Sequence, residues 1–334
     1  MSLWRADAPP DRRWPARVRH HDPLVLDLGG LGSDPGAWLA LWLVARQVDG
    51  LAMVVTSHER GHALHRGERA QLARVILADT GREGVVVVAG PWGGDPGAPW
   101  RAHGLVPPET LVPSHELGST LVRILPGYPP SGLLRMSRPI RWVCAGPLTN
   151  LTRLHAVDTR FRWGLMRRID LVLVDRYTDA DPAAEAVLAA VKSVTVVPSE
   201  LLARPDLRIW PPEEENPAGQ LWDTLGISQQ PGMARFHGHL RQWALHSADG
   251  GVALATLVGV TTALGEGVEL APPPVGRADR ARIGGSQRFD RAIVADVDAT
   301  QLRARIATAL TAPDPTGAPD PMRKRRGLPG LVSP

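Results

Sequence analysis

Two aspartates and one histidine pair are the side chains best placed to do chemistry. Residues 24–27, Leu-Val-Leu-Asp, read as a short buried strand that ends on the acid Asp27. Asp34 follows within the glycine-rich turn that runs from Leu28 to Pro35. Carboxylates at a strand end suit a hard cation or a general base. Asp34 also has a purely structural reading, as the N-cap of a helix whose first residue is Pro35. Further on, His58-Glu59-Arg60-Gly61-His62 matches H-E-x-x-H. On a helix that spacing sets both imidazoles on one face for zinc and leaves the glutamate as a base, which makes a zinc metallopeptidase a remote alternative. Gly61 weakens such a helix, and the segment directly follows an apolar run. A polar strand-to-helix loop is therefore the simpler expectation, with His58 or Glu59 lining a ligand cleft as the other. Cys144 lies inside an apolar run and is expected to be buried and inert. Trp92 and Trp100 fall in a glycine- and proline-rich stretch, where they either pack a loop or stack on a base. A G-x-S-x-G elbow and a phosphate-binding P-loop are both missing from the sequence.

The elements that must carry these residues alternate. Apolar runs at 24–27, 51–56 and 85–89 are separated by helical stretches at 36–48 and 68–80. The pattern resumes with a strand at 140–145, the turn Gly146-Pro147-Leu148-Thr149-Asn150 and a helix. Strands are expected at 169–174, 193–197 and 292–296, and helices at 182–191, 251–264 and 298–310. Continuous apolar strands are buried on both faces, so the expected fold is α/β, with a mostly parallel, doubly wound sheet and helices on both faces. Segments 91–139 and 203–235 are rich in proline and are expected to be loop-dominated insertions. The reading divides the chain into a polar N-terminal arm (1–22), one α/β domain (23–310) and a disordered basic tail (311–334), with no repeat or clean linker.

Composition narrows the classes. The chain has 334 residues, 43% hydrophobic and 22% charged, which is ordinary for a globular domain. No run of about 18 apolar residues exists, so no membrane span is expected. The stretch Met1 to Arg19 lacks an apolar signal-peptide core, and one cysteine rules out an internal disulfide framework. A cytoplasmic protein is the resulting expectation. The net charge is +4, carried almost wholly by arginine, since Lys192 and Lys324 are the only lysines. Arginines 12, 13, 17 and 19 and residues 323–326 concentrate charge at the two ends. They read as solvated termini, and a nucleic-acid partner is not expected.

Five stretches in order carry a family resemblance. Leu24 to Leu43 (LVLDLGGLGSDPGAWLALWL) resembles the opening of the inosine-uridine-preferring nucleoside hydrolases, D-x-D-P-G-x-D-D-A-x-A-L. The others are the helix leading into Val85–Gly90 (VVVVAG), Val143–Leu151 (VCAGPLTNL), Asp181–Glu185 (DPAAE) running into Val194–Leu202 (VTVVPSELL), and Ile293–Leu302 (IVADVDATQL). The resemblance implies cleavage of the N-glycosidic bond of ribonucleosides. It implies a calcium ion that holds the ribose hydroxyls and a water. It would make Asp27 both metal ligand and general base, place a metal-binding carbonyl on Ala145, and put Asn150 near the substrate.

The departures from that pattern are as informative. The family's acidic pair at the start of the first helix falls on Gly36 and Ala37. Its later aspartate falls near Ala255-Thr256, and Asp249 precedes that position. The sugar-binding loop is shortened to residues 176–180, and Ser57-His58-Glu59 stands where an asparagine is expected. Calcium affinity follows ligand charge, so a site built from Asp27, Asp34, the Ala145 carbonyl and Asp249 should bind calcium weakly. The expectation is a binding or interaction module with a degenerate calcium and ribose site, a ribonucleoside or related small molecule as ligand, and a homo-oligomer left open. The alternative is an active calcium-dependent N-ribohydrolase.

Overall fold

A computed structural model describes residues 22–57, 59, 67–91, 100–107, 117–124, 139–161, 164–174, 182–211, 219–246, 251–271 and 290–311. In chain order the strands are β1 (Leu24–Leu28), β2 (Leu51–Thr56), β3 (Val86–Val88), β4 (Ile140–Ala145), β5 (Ile169–Val174), β6 (Ser193–Val197), β7 (Arg208–Ile209), β8 (Val252–Ala253), β9 (Val268–Ala271) and β10 (Asp290–Val297). The helices are α1 (Pro35–Gln47), α2 (Glu68–Asp79), α3 (Leu117–Ile124), α4 (Thr149–Phe161), α5 (Pro182–Ala190), α6 (Ser199–Leu202), α7 (Gly219–Ile227), α8 (Met233–Ala244), α9 (Ala255–Leu264) and α10 (Ala299–Thr311).

Eight strands form one sheet in the order β3-β2-β1-β4-β5-β6-β10-β9. Its pairs are parallel except β9 with β10. The expected architecture is thus the one adopted. The strands are apolar throughout because each face carries a core. Leu24, Leu26 and Leu28 of β1 pack with α1 and α9 on one side. Val25 packs with Trp142, Cys144 and residues of α4 and α5 on the other. Asp27 has the parity of Val25, so the strand's own alternation delivers its carboxylate to the α4 side.

The order 3-2-1-4-5-6 makes the chain wind outward from β1 one way and from β4 the other. Those two strands are adjacent, with Asp27 opposite Cys144 and Leu28 opposite Ala145. The crevice beyond their carboxyl ends is the topological switch point, where ligands of open α/β sheets bind.

Several expectations change. The segment 203–235 is not loop-dominated: it contains α7 and the start of α8. Met233, Phe236, Leu240 and Trp243 make one buried stripe on α8, a helical period masked in the sequence by neighbouring prolines and glycines. Within 91–139, α3 is also helical. The expected helix 251–264 begins only at Ala255, because Val252–Ala253 pairs with β7 instead. The antiparallel edge strand β9 was not expected; it is short, with Glu269 exposed and its other three residues partly buried. Among the described residues no helix is long and apolar enough to cross a membrane. The arm through residue 21 and the tail from 312 lie outside the described residues.

Candidate functional site

Asp27 is fully buried at the switch point. Its Oδ1 accepts hydrogen bonds from Ser57 Oγ (2.7 Å) and Asn150 Nδ2 (2.8 Å). Asn150, in the first turn of α4, also donates toward the Thr56 carbonyl (3.0 Å) and lies 2.9 Å from Ser57 Oγ. One carboxylate therefore ties β1, the end of β2 and α4 together. Burial raises its pKa to about 6, against the lowering effect of the Ser57 and Asn150 donors. Cys144 Sγ sits 4.0 Å from Asp27 Oδ2 and 3.2 Å from the Gly146 carbonyl. Burial first, and the Asp27 charge second, push this thiol well above its ordinary range, and it is buried as its apolar strand implies.

Close backbone approaches allow this cluster to form. A Cβ on Gly90 would lie 1.8 Å from the Thr56 carbonyl oxygen and 3.0 Å from Asn150 Oδ1. Only glycine lets Asn150 reach across the strand ends. Gly29 and Gly146 face each other almost as tightly, and Gly29 N–H donates to the Ala145 carbonyl at 3.0 Å. That carbonyl therefore has one lone pair already engaged.

Asp34 caps α1. Its backbone is extended, and its Oδ1 accepts from Gly36 N–H at 2.8 Å, with Pro35 at the first helical position. The structural reading of Asp34 holds. Burial raises its pKa to about 6, opposed by the Gly36 and Ala37 amides. A Cβ on Gly36 would lie 2.0 Å from the Ala253 carbonyl oxygen of β8, and Ala37 is buried. No acid stands in the first turn of α1. Among the described residues no three His, Cys, Asp or Glu side chains come together to hold a metal ion. The described donor set does not fit a calcium cage.

Glu59 is buried and accepts from Arg69 N–H (3.1 Å), Ala70 N–H (3.0 Å) and Thr56 Oγ1. It caps the first turn of α2 from outside, because the N-cap residue Gly67 has no side chain to do so. Burial raises its pKa, against the Thr56, Arg69 and Ala70 donors. The glutamate of H-E-x-x-H is thus engaged with a helix end; His58 and His62 lie outside the described residues, as do Asp249, Trp92 and the loop 176–180. Trp100 packs its ring on Gly32, where a Cβ would lie 2.1 Å from the ring, and Arg101 N–H donates to the Gly32 carbonyl at 2.8 Å.

The structure therefore bonds Asn150 to Asp27, sets the Ala145 carbonyl at the end of the neighbouring strand, where it accepts from Gly29, and places Asp34 and Glu59 at helix caps. Ser57 and Arg69 were missed. Ser57 has a retrospective signal, being the first residue after β2 on the strand beside β1. Arg69 has none, since a charged residue in an amphipathic helix ordinarily faces water.

No protein-family model matches the chain, and neither does any curated protein. Solved structures do. A plant nucleoside hydrolase, PpNRh1, superposes with a TM-score of 0.59 at 14% identity, over 88% of this chain and 100% of that one. An inosine-guanosine nucleoside hydrolase gives 0.62 at 12%, over 87% and 98%. The type III effector XopQ, solved in complex with adenosine diphosphate ribose, gives 0.57 at 15%, over 86% and 94%. Identities this low speak to architecture and leave chemistry to the site. The switch-point sheet described above is a nucleoside-hydrolase-like fold.

Proposed function

We propose that this chain is a nucleoside-hydrolase-fold protein with a degenerate calcium and ribose site. In this reading it has weak or no N-glycosidase activity and serves as a binding or interaction module for a ribonucleoside or a related ribosyl molecule. The observation that carries the reading is the absence of any acid in the first turn of α1. Counted from Asp34-Pro35-Gly36, which supplies the D-P-G of the family opening, the acidic pair falls not on Gly36 and Ala37 but two places on, at Trp38 and Leu39, both fully buried in the apolar core. The loss is therefore a feature of the packing and not an isolated substitution. The rim of the crevice still offers polar groups. Gly29, Gly30, Ser33, Asp34, Gly146 and Thr149 are partly exposed, and Thr149 Oγ1 lacks a hydrogen-bond partner among the described residues. A buried hydroxyl without a partner, such as Thr149 Oγ1, can be satisfied by a ligand's polar group. The XopQ neighbour, solved with adenosine diphosphate ribose, supports the ligand class.

A second reading, an active calcium-dependent N-ribohydrolase releasing base and ribose, has one observation in its favour. Asp27 stands at the switch point with its pKa raised toward neutrality, as a general base requires. The experiment that separates the two uses purified, chelator-stripped protein. Calorimetry with calcium chloride, inosine, uridine, adenosine and adenosine diphosphate ribose is run beside an assay for released ribose. Ligand heat without turnover supports the binding module; calcium-dependent ribose release supports the enzyme.

A further inference from the structure

The turn between β1 and α1 forms much of the crevice rim, and protein groups fix it on every side. Gly29 is bonded to Ala145, Gly32 lies under Trp100 and is bonded to Arg101, and Gly36 lies under Ala253. The middle of the turn is held from beneath by Arg69 of α2. Its guanidinium donates to the Leu31 carbonyl and, at 3.2 Å, to Ser33 Oγ. Arg69 is 0% exposed. A buried cation is costly unless charge and hydrogen bonds compensate it. Glu59, 2% exposed, contributes a negative charge close by, its carboxylate accepting from the Arg69 and Ala70 backbone amides. The Arg69 charge in turn acts on the Glu59 carboxyl. The Arg69 guanidinium thus links α2 to the turn, and Glu59 anchors the first turn of α2 that carries it.

We infer that Arg69 is a positioning residue: its buried guanidinium organises the β1–α1 turn, which consequently needs no divalent cation to take its ligand-facing shape. A guanidinium can do this because it supplies a fixed positive charge with several directional donors, the properties by which a metal ion gathers carbonyl oxygens. The inference rests on the degenerate-site reading and adds what replaces the cation.

Hydrogen–deuterium exchange of the peptide spanning residues 28–36 tests it, on the full chain in EDTA and in calcium chloride. In the unmodified protein, exchange should be the same in both. Arg69→Met should speed exchange of 28–36 by about tenfold or more, well below its melting temperature. The α5 and β6 peptides should stay unchanged, a local effect that general destabilisation would not give. Arg69→Lys, which keeps the charge but loses the fork, should fall between, and it carries the comparison if Arg69→Met does not fold. Unchanged exchange in the folded variant, or a uniform rise across all peptides, would overturn the role of Arg69. Calcium slowing exchange of 28–36 in the unmodified protein would overturn the independence from metal. Ribose release by the unmodified protein would instead overturn the degenerate-site reading, whatever the exchange of Arg69→Met shows.

Discussion

The carbonyl oxygen of Ala253 lies 2.0 Å from where a Cβ on Gly36 would stand. This contact joins the β7–β8 ribbon to the first turn of α1, and the ribbon is itself fixed. Leu254 N–H donates to the Leu207 carbonyl at 3.0 Å, and Gly251 lies under the ring of Trp210. The obstacle is backbone, which cannot rotate away as a side chain can. Gly36→Ala should therefore strain the packing and lower the melting temperature by about 5 °C, as overpacking by roughly 1–3 kcal/mol does in a chain of this size. Differential scanning calorimetry reads this directly. By the same geometry, Gly36→Asp with Ala37→Asp should not create a calcium site.

Asn150 should matter for stability as well as for any ligand. Asn150→Ala removes a donor to the buried Asp27 carboxylate and one to the Thr56 carbonyl. Leaving such groups under-satisfied costs about 1–3 kcal/mol. Urea unfolding monitored by tryptophan fluorescence should show a lower midpoint with an unchanged slope. Gly90→Ala should have the same effect, since its Cβ would meet the Thr56 carbonyl at 1.8 Å.

The strand that carries Asp27 was legible in the sequence for a simple reason. An apolar run closed by an acid has few readings, and the alternation of such runs with helices leaves one sheet class. Asn150 was legible for the same reason, through its place just after β4. H-E-x-x-H is a spacing rule for a helix, whereas Glu59 lies between β2 and α2 and serves the amides of α2, a capping role that spacing alone does not reveal. Gly36 shows the other limit. The sequence shows a glycine there, but that β8 backbone would crowd it depends on a pairing between Arg208 and Ala253, distant in the chain. The helices α7 and α8 were obscured by composition: glycines and prolines nearby outweighed the stripe from Met233 to Trp243.

His239 provides a pH test. It is fully buried on α8, with its ring centroid 5.2 Å from that of Trp38. Burial, aided by the charge of Arg101, lowers its pKa from 6.5 to about 4. Between those values the unfolded chain binds the proton and the folded chain does not. The His239 contribution to stability should therefore be flat above about pH 7 and fall as pH drops from 6.5 to 4, by about 3 kcal/mol across the window, against the opposite slope from Asp27 and Asp34, whose raised pKa values favour the folded state as pH falls. His239→Phe, of similar size and uncharged, should lose that part of the slope. Melting temperatures of both proteins from pH 4 to 8 check it; parallel curves would show that His239 does not contribute.

The most direct test of the central claim is an assay of ribose released from inosine, uridine, adenosine and cytidine by the unmodified protein, with calcium and with EDTA. Metal activation of water and substrate positioning each contribute several kcal/mol to such a barrier, and about 1.4 kcal/mol is tenfold in rate. A site with no acid in the first turn of α1 should release ribose at a rate indistinguishable from a no-protein control in both conditions. Robust calcium-dependent release, abolished by Asp27→Asn, would contradict the account and establish the chain as an N-ribohydrolase.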